Sequence, residues 1–251
     1  MKLKNLLKLI VHYISVPKCV CCEEKLGYGK EALCDCCLEI YREIKTRDCS
    51  LCSKPLYRCS CSNPYLEAHY VKKLIKVYRY LPELSLPTNR LIYSLKRDDR
   101  DDVLDFARRE LSAAIKNSVE NPSEYIFTYV PRRRKSVVKY GIDHAQLLSK
   151  ALAKEFSAEF YPLLISKSKS PQKSTSGEER LKNAKFKYKK NSPNLSGKKV
   201  ILVDDIVTTG ASLGTCAALI RGLGAKTIVG CVMAIAYKDP HTIPERGDRF
   251  S

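Results

Sequence analysis

The chain has 251 residues, enough for one large domain or two of unequal size, and an apolar fraction of 44% that excludes wholesale disorder. Its 45 basic and 27 acidic residues give a formal charge of +18, so polyanions (nucleic acid, phosphates or an acidic membrane surface) are the expected partners. No apolar run reaches the length of a membrane-spanning helix.

The N-terminal stretch MKLKNLLKLIVHYIS places lysines ahead of leucines, as a secretory signal does. Lys8 interrupts the apolar run, however, and no small-residue cleavage motif follows. Leu3, Leu6, Leu7, Ile10, Val11 and Ile14 form one helical stripe, which predicts an amphipathic helix docked on its own protein rather than on a membrane surface. Without an export signal the expected location is cytoplasmic and reducing, where clustered cysteines read as metal ligands.

Ten of the twelve cysteines lie between Cys19 and Cys61. Cys19 and Cys22, Cys34 and Cys37, and Cys49 and Cys52 form C-x2-C pairs, and Cys59 and Cys61 form a C-x-C pair. Two thiolates on a tight turn grip one face of a tetrahedral zinc, and a second pair closes the other. Four pairs suffice for two structural zinc sites of four sulfurs each. Such ions would supply the folding energy of a segment with little core of its own, and their thiolates would lower the positive surplus by about four charges. Pairing in sequence order is the reading adopted here; an interleaved pairing satisfies the same spacing. Cys21 and Cys36 are spare, and Cys216 and Cys231 read as small buried hydrophobes.

From about Tyr70 the pattern turns to strands and helices in alternation. Residues 91–117 read as helix, Glu124–Val130 as a strand, Asp143–Phe156 as a helix and Phe160–Ser166 as a short strand weakened by Pro162. Between Ile165 and Lys190 lies a polar tract with nine basic and two acidic residues, expected to be a loop or a polyanion surface. KKVILVDD is a buried strand, ASLGTCAALIRGLGA a helix, and Lys226–Ala236 another apolar strand. Strand, helix, strand in that order argues an α/β fold with a parallel sheet. The expected division is 1–66 for the N-terminal helix and cysteine module, 67–240 for the α/β domain, and 241–251 for a tail.

The stretch VILVDDIVTTGAS (Val200–Ser212) carries the chemistry. In open α/β sheets, ligands bind beyond the carboxyl ends of strands, where Asp204 and Asp205 are expected. Carboxylates there can accept hydrogen bonds from the vicinal hydroxyls of a ribose. Thr208, Thr209, Gly210, Ala211 and Ser212 lead into a helix whose N-terminal N–H groups suit a phosphate, and Gly210 allows close backbone approach. Together these describe a ribose 5-phosphate site. Neither a Walker-type nor a G-x-G-x-x-G phosphate loop is present.

This stretch resembles the phosphoribosyl-pyrophosphate (PRPP) signature of type I phosphoribosyltransferases. With the cysteine-rich front, the chain resembles the ComF (ComFC-like) competence family: a double zinc ribbon ahead of a parallel-sheet type I phosphoribosyltransferase fold. Further matching pieces are SLKRDD around Lys96, VPRRRK from Val130, and PQKSTSGEERLKNAKF, in which Gln172, Arg180, Asn183 and Phe186 stand where the family has them. The resemblance implies that Asp204 and Asp205 contact the ribose hydroxyls, that Thr208–Ser212 hold the 5′-phosphate, and that Mg²⁺ accompanies PRPP. Arg132 and Lys135, beyond the strand ending at Val130, are candidates to face the pyrophosphate. Where the family has Arg-Gly-Phe-Asn-Gln, this chain has Tyr140, Gly141, Ile142, Asp143 and His144, and an aspartate aimed at the ligand there would repel phosphates.

Three functions follow as expectations. The first is binding and processing of incoming single-stranded DNA during natural transformation, alongside the DNA-uptake machinery, with Tyr57 and Tyr65 as exposed base-stacking residues. The second is a phosphoribosyltransferase acting on a small base. The third is a zinc-dependent interaction module without chemistry.

Overall fold

The computed structural model describes residues 17–27, 32–81, 86–98, 100–167 and 185–236. The expected N-terminal helix, the centre of the lysine-rich tract with Gln172, Arg180 and Asn183, and the C-terminal tail lie outside the described residues.

Among the described residues the chain runs through α1 (Asp35–Lys45), a 3-10 turn at Leu56–Arg58, α2 (Pro64–Ala68), β1 (Val71–Arg79), α3 (Pro87–Arg97) and α4 (Asp101–Ser118). It continues through β2 (Tyr125–Tyr129), α5 (Arg134–Tyr140), α6 (His144–Glu155), β3 (Leu164–Ser166) and β4 (Phe186–Tyr188), and ends with β5 (Lys199–Val207), α7 (Ala211–Gly222) and β6 (Thr227–Ile235). Local chemistry sets the boundaries. Pro87 opens α3 at a position where its missing N–H costs nothing. Asp101 and Asp102 in the first turn of α4, with Lys116 in its last, complement the helix dipole.

The main sheet has the order β1-β6-β5-β2 and is parallel throughout. Its central strands are near-continuous apolar runs, as strands covered on both faces must be. One face packs under α1, α3, α4 and α6 through Tyr41, Leu91, Leu111, Leu148, Ile201 and Val229. The other packs under the 3-10 turn, α2 and α7 through Leu56, Leu66, Leu202, Leu213, Ile220 and Val232. β3 and β4 form a separate antiparallel ribbon whose connection carries the lysine-rich tract.

Several expectations shift in detail. The helical stretch from residue 91 is two helices, because Asp98 and Arg100 take extended backbone angles and break it. The strand foreseen at Phe160–Ser166 is regular only from Leu164, with a lone parallel bridge from Phe160 to Phe127. β1 is a strand that periodicity did not single out, since Lys72, Lys73 and Lys76 interrupt its apolar run.

Candidate functional site

β5 pairs with β2 only as far as Val203, opposite Tyr129, whereas its pairing with β6 continues to Val207. Asp204 and Asp205 therefore lie within the strand rather than at its end, but past the point where its β2 neighbour has stopped. That departure opens a notch at the carboxyl end of the sheet, where α/β folds bind ligands.

Four elements converge on the notch. Lys96, in the last turn of α3, places Nζ 3.5 Å from Asp205 Oδ1. Arg132, just beyond β2, donates from Nη1 to the Lys96 carbonyl at 3.1 Å, and the same nitrogen lies 3.4 Å from His144 Nδ1. At the start of α6, Asp143 accepts the backbone N–H of Arg132 on Oδ2 at 2.9 Å. Asp143 thus serves to hold the Arg132 backbone. Its carboxyl is raised by burial, opposed by backbone hydrogen bonds from Arg132 and Gln146. The Asp204 carboxyl is also raised well above the ordinary range, first by burial and then by the adjacent Asp205 charge. Lys135 is exposed in the first turn of α5.

The turn after β5 brings Gly210 to φ +88°, the left-handed region that favours glycine, immediately before α7. Thr209 Oγ1 accepts the Ala211 N–H at 3.3 Å, and Gly214 N–H closes the first helical turn on the Gly210 carbonyl at 2.7 Å. Ser212 is exposed at the helix start, among the N–H groups that the helix leaves unpaired. Behind this turn lies α2. A Cβ on Gly210 would come within 3.1 Å of the Leu66 side chain, and one on Gly214 within 2.8 Å of the Tyr65 ring. Tyr65 is therefore not an exposed stacking residue: its ring packs on α7 and stacks on His69 with centroids 4.2 Å apart. Tyr57 is half-buried, with Lys45 Nζ 5.0 Å and Arg58 Cζ 5.4 Å from its ring centroid.

The cysteines form two groups. The ligand atoms of Cys19, Cys22, Cys34 and Cys37 lie within 4.8 Å of one another, as do those of Cys49, Cys52, Cys59 and Cys61. Neither group includes Cys21 or Cys36. The two groups open on the same turn. Cys19 and Cys49 each donate to a carbonyl five residues on and accept from the N–H four residues on, and Glu23 and Ser53 take matching positive φ of 64° and 53°. The second pairs differ: Cys34 precedes α1 with Cys37 in its first turn, while Cys59 closes the 3-10 turn. The groups fit a zinc ion. Cys22 and Cys34 Sγ stand 3.6 Å apart, close to the roughly 3.8 Å edge of a tetrahedron with Zn–S bonds of about 2.3 Å. The first group packs into the core beneath α1, α3 and α4, and the second into the core beneath α2 and α7.

Sequence reasoning missed the anchoring role of Asp143 and the backing of the Gly210 turn by Tyr65, Leu66 and His69. The available signal for the latter was Gly214, a second glycine one helical turn after Gly210, which marks close packing on that face.

Residues 143–248 match the family model for the phosphoribosyl transferase domain. Over 219 residues the chain is 25% identical to the DNA utilization protein YhgH of Escherichia coli O157:H7, covering 84% of this chain and 93% of that protein. The Shigella flexneri protein of the same name is 24% identical over the same coverage. A hypoxanthine-guanine phosphoribosyltransferase from Bacillus anthracis superposes with a TM-score of 0.36 at 19% identity, over 53% of this chain and 68% of that one. The chain thus joins two four-cysteine groups to a parallel sheet and a match to the phosphoribosyl transferase domain, the combination that the ComF resemblance implies.

Proposed function

We propose that the protein binds Mg²⁺-PRPP in the notch at the end of β5 and single-stranded DNA on its basic surface, acting in the cytoplasm on DNA taken up during transformation. The observation that carries the first half is the placement of Asp204 and Asp205 past the end of β2, directly before the Gly210 turn. Two carboxylates suit the 2′- and 3′-hydroxyls, and the N-terminus of α7 suits the 5′-phosphate. Lys96 and Arg132 supply positive charge on the pyrophosphate side. The Arg132 backbone is fixed by Asp143, which spends one carboxylate oxygen internally. Mg²⁺, when bound, supplies further neutralisation of the pyrophosphate oxygens. The reaction such a site supports is displacement at the anomeric carbon. A nucleophile forms a bond to C1 as the C1–O bond breaks, and pyrophosphate leaves with the bonding electrons.

The eight grouped cysteines would hold two zinc ions as structural ligands, leaving no open coordination position for chemistry. Support for DNA comes from the +18 formal charge and from the relatives named as DNA utilization proteins. Tyr57 between Lys45 and Arg58 adds an aromatic-and-cation surface of the kind that receives unpaired bases.

Calorimetric titration of Mg²⁺-PRPP, with and without a short single-stranded oligonucleotide, tests both halves. Mg²⁺-PRPP is expected to bind, and Asp204→Asn with Asp205→Asn is expected to abolish the signal. Neutralising four phosphates predicts that a fourfold rise in salt weakens oligonucleotide binding roughly fifty-fold. A salt-independent response removes the DNA half. Pyrophosphate release with a small base and no DNA would instead mark a small-base phosphoribosyltransferase.

A further inference from the structure

The second cysteine group and the phosphate turn are joined by one short piece of chain. Two residues beyond Cys61, the Asn63 side chain accepts the Leu66 N–H at 2.8 Å and starts α2. The chain before it is stitched to β1: Leu74 N–H donates to the Ser60 carbonyl at 3.0 Å, and the buried Lys76 ammonium donates to the Cys61 carbonyl at 2.6 Å. α2 then lies flat on the first turn of α7. Leu66 and Tyr65 would stand 3.1–3.2 Å from a Gly210 Cβ, and Tyr65 and His69 2.8–3.2 Å from a Gly214 Cβ. His69 is fixed in turn by its ring stack on Tyr65 and by a 2.7 Å contact from Nδ1 to the Tyr65 carbonyl. No spare volume separates α2 from α7, so a shift of one displaces the other.

The first cysteine group is not part of this cluster. It packs with α1, α3 and α4 on the opposite face of the sheet. The two groups, similar in sequence, therefore differ in what they hold.

We infer that Tyr65, Leu66 and His69 are positioning residues for the 5′-phosphate turn Thr208–Ser212, and that through them the second cysteine group, but not the first, is coupled to phosphate binding. The coupling is reciprocal: metal at the second group strengthens ligand binding, and bound ligand strengthens retention of that metal. This inference rests on the reading of the notch as a ribose 5-phosphate site and of the cysteine groups as zinc sites.

The test uses the full chain with ribose 5-phosphate as calorimetric probe. Tyr65→Ala and Cys61→Ser are expected to weaken binding at least tenfold, while Tyr65→Phe, which keeps the ring, stays within twofold of the parent. A second measurement needs no variant to fold. Zinc release from the parent protein to a chromogenic chelator should show two phases, one of which slows at least threefold under saturating ribose 5-phosphate. A Tyr65→Ala protein that binds as the parent does, zinc release insensitive to the probe, or equal slowing of both phases would each overturn the coupling. Failure of the parent protein to bind ribose 5-phosphate would instead overturn the site itself, and the coupling with it.

Discussion

Asp204 and Asp205 are adjacent in a partly buried strand, and the Asp204 carboxyl is raised first by burial and then by the Asp205 charge, against the Asp205 N–H that it accepts at 2.9 Å. An aspartate whose carboxyl is raised by folding costs the native state stability once the pH exceeds the ordinary aspartate range of about 3.9. The cost grows from that range up to the native-state value, is constant above it, and vanishes in acid, where native and unfolded chains both carry the proton. Asp204→Asn should therefore stabilise the ligand-free protein at neutral pH, on the order of 1 kcal/mol, or about 2–4 °C in a chain of this size. Thermal melts between pH 3.5 and pH 8 check the sign: the gain must shrink toward acid. A neutral-pH loss of stability would mean that Asp204 is satisfied within the fold and is not held for a ligand. The acid pair and the glycine turn were legible because a strand-to-helix junction is local in sequence. Asp143 was not, since its meaning depends on the Arg132 N–H, 11 residues away on the other side of α5.

The βαβ unit of β5, α7 and β6 follows directly from its apolar periodicity, yet one of its tightest contacts is at a residue type that weakens strands. Gly230 lies in the middle of β6, where a Cβ would fall 2.7 Å from Leu74 Cδ1 and 3.2 Å from both Leu213 Cδ2 and Val71 Cγ1. The missing side chain lets Leu213, in the first turn of α7, seat against the sheet beside β1. Gly230→Ala, favourable by strand propensity alone, should instead cost about 1–3 kcal/mol through overpacking, read as a lowered denaturation midpoint at unchanged m-value. An increase in stability would show that the layer between α7 and the sheet has room to spare. β1 itself escaped the sequence reading for a related reason. Period-two logic treats Lys76 as outward, but the structure buries it with its ammonium on the Cys61 and Leu74 carbonyls. A buried lysine reads as a strand residue only once the groups that receive its charge are known.

Across the whole molecule the cysteine segment is built into the α/β unit. Cys19 and Cys37 belong to the core beneath α1 and α4, and Cys49 and Cys59 to the core beneath α2 and α7, so each face of the sheet includes one group. Spacing foretold two groups of four; it gave no hint that they would lie on opposite faces, because that depends on β1 rising between them and the rest of the chain. Tyr41 reinforces the union from α1, its buried hydroxyl donating to Glu110 of α4 at 2.8 Å. A structural zinc contributes roughly 10–16 kcal/mol in small isolated modules, comparable to the whole stability of an ordinary domain. Stripping metal with a strong chelator should therefore melt the entire chain in one transition, lowered by more than about 15 °C, with helical and tertiary signals lost together. The competing outcome is specific: if the cysteine segment were an appended module, chelation would release it alone and leave the sheet melting at its original temperature. Two separate transitions after chelation would refute the shared-core account, and would also remove the mechanical route from the second cysteine group to the phosphate turn.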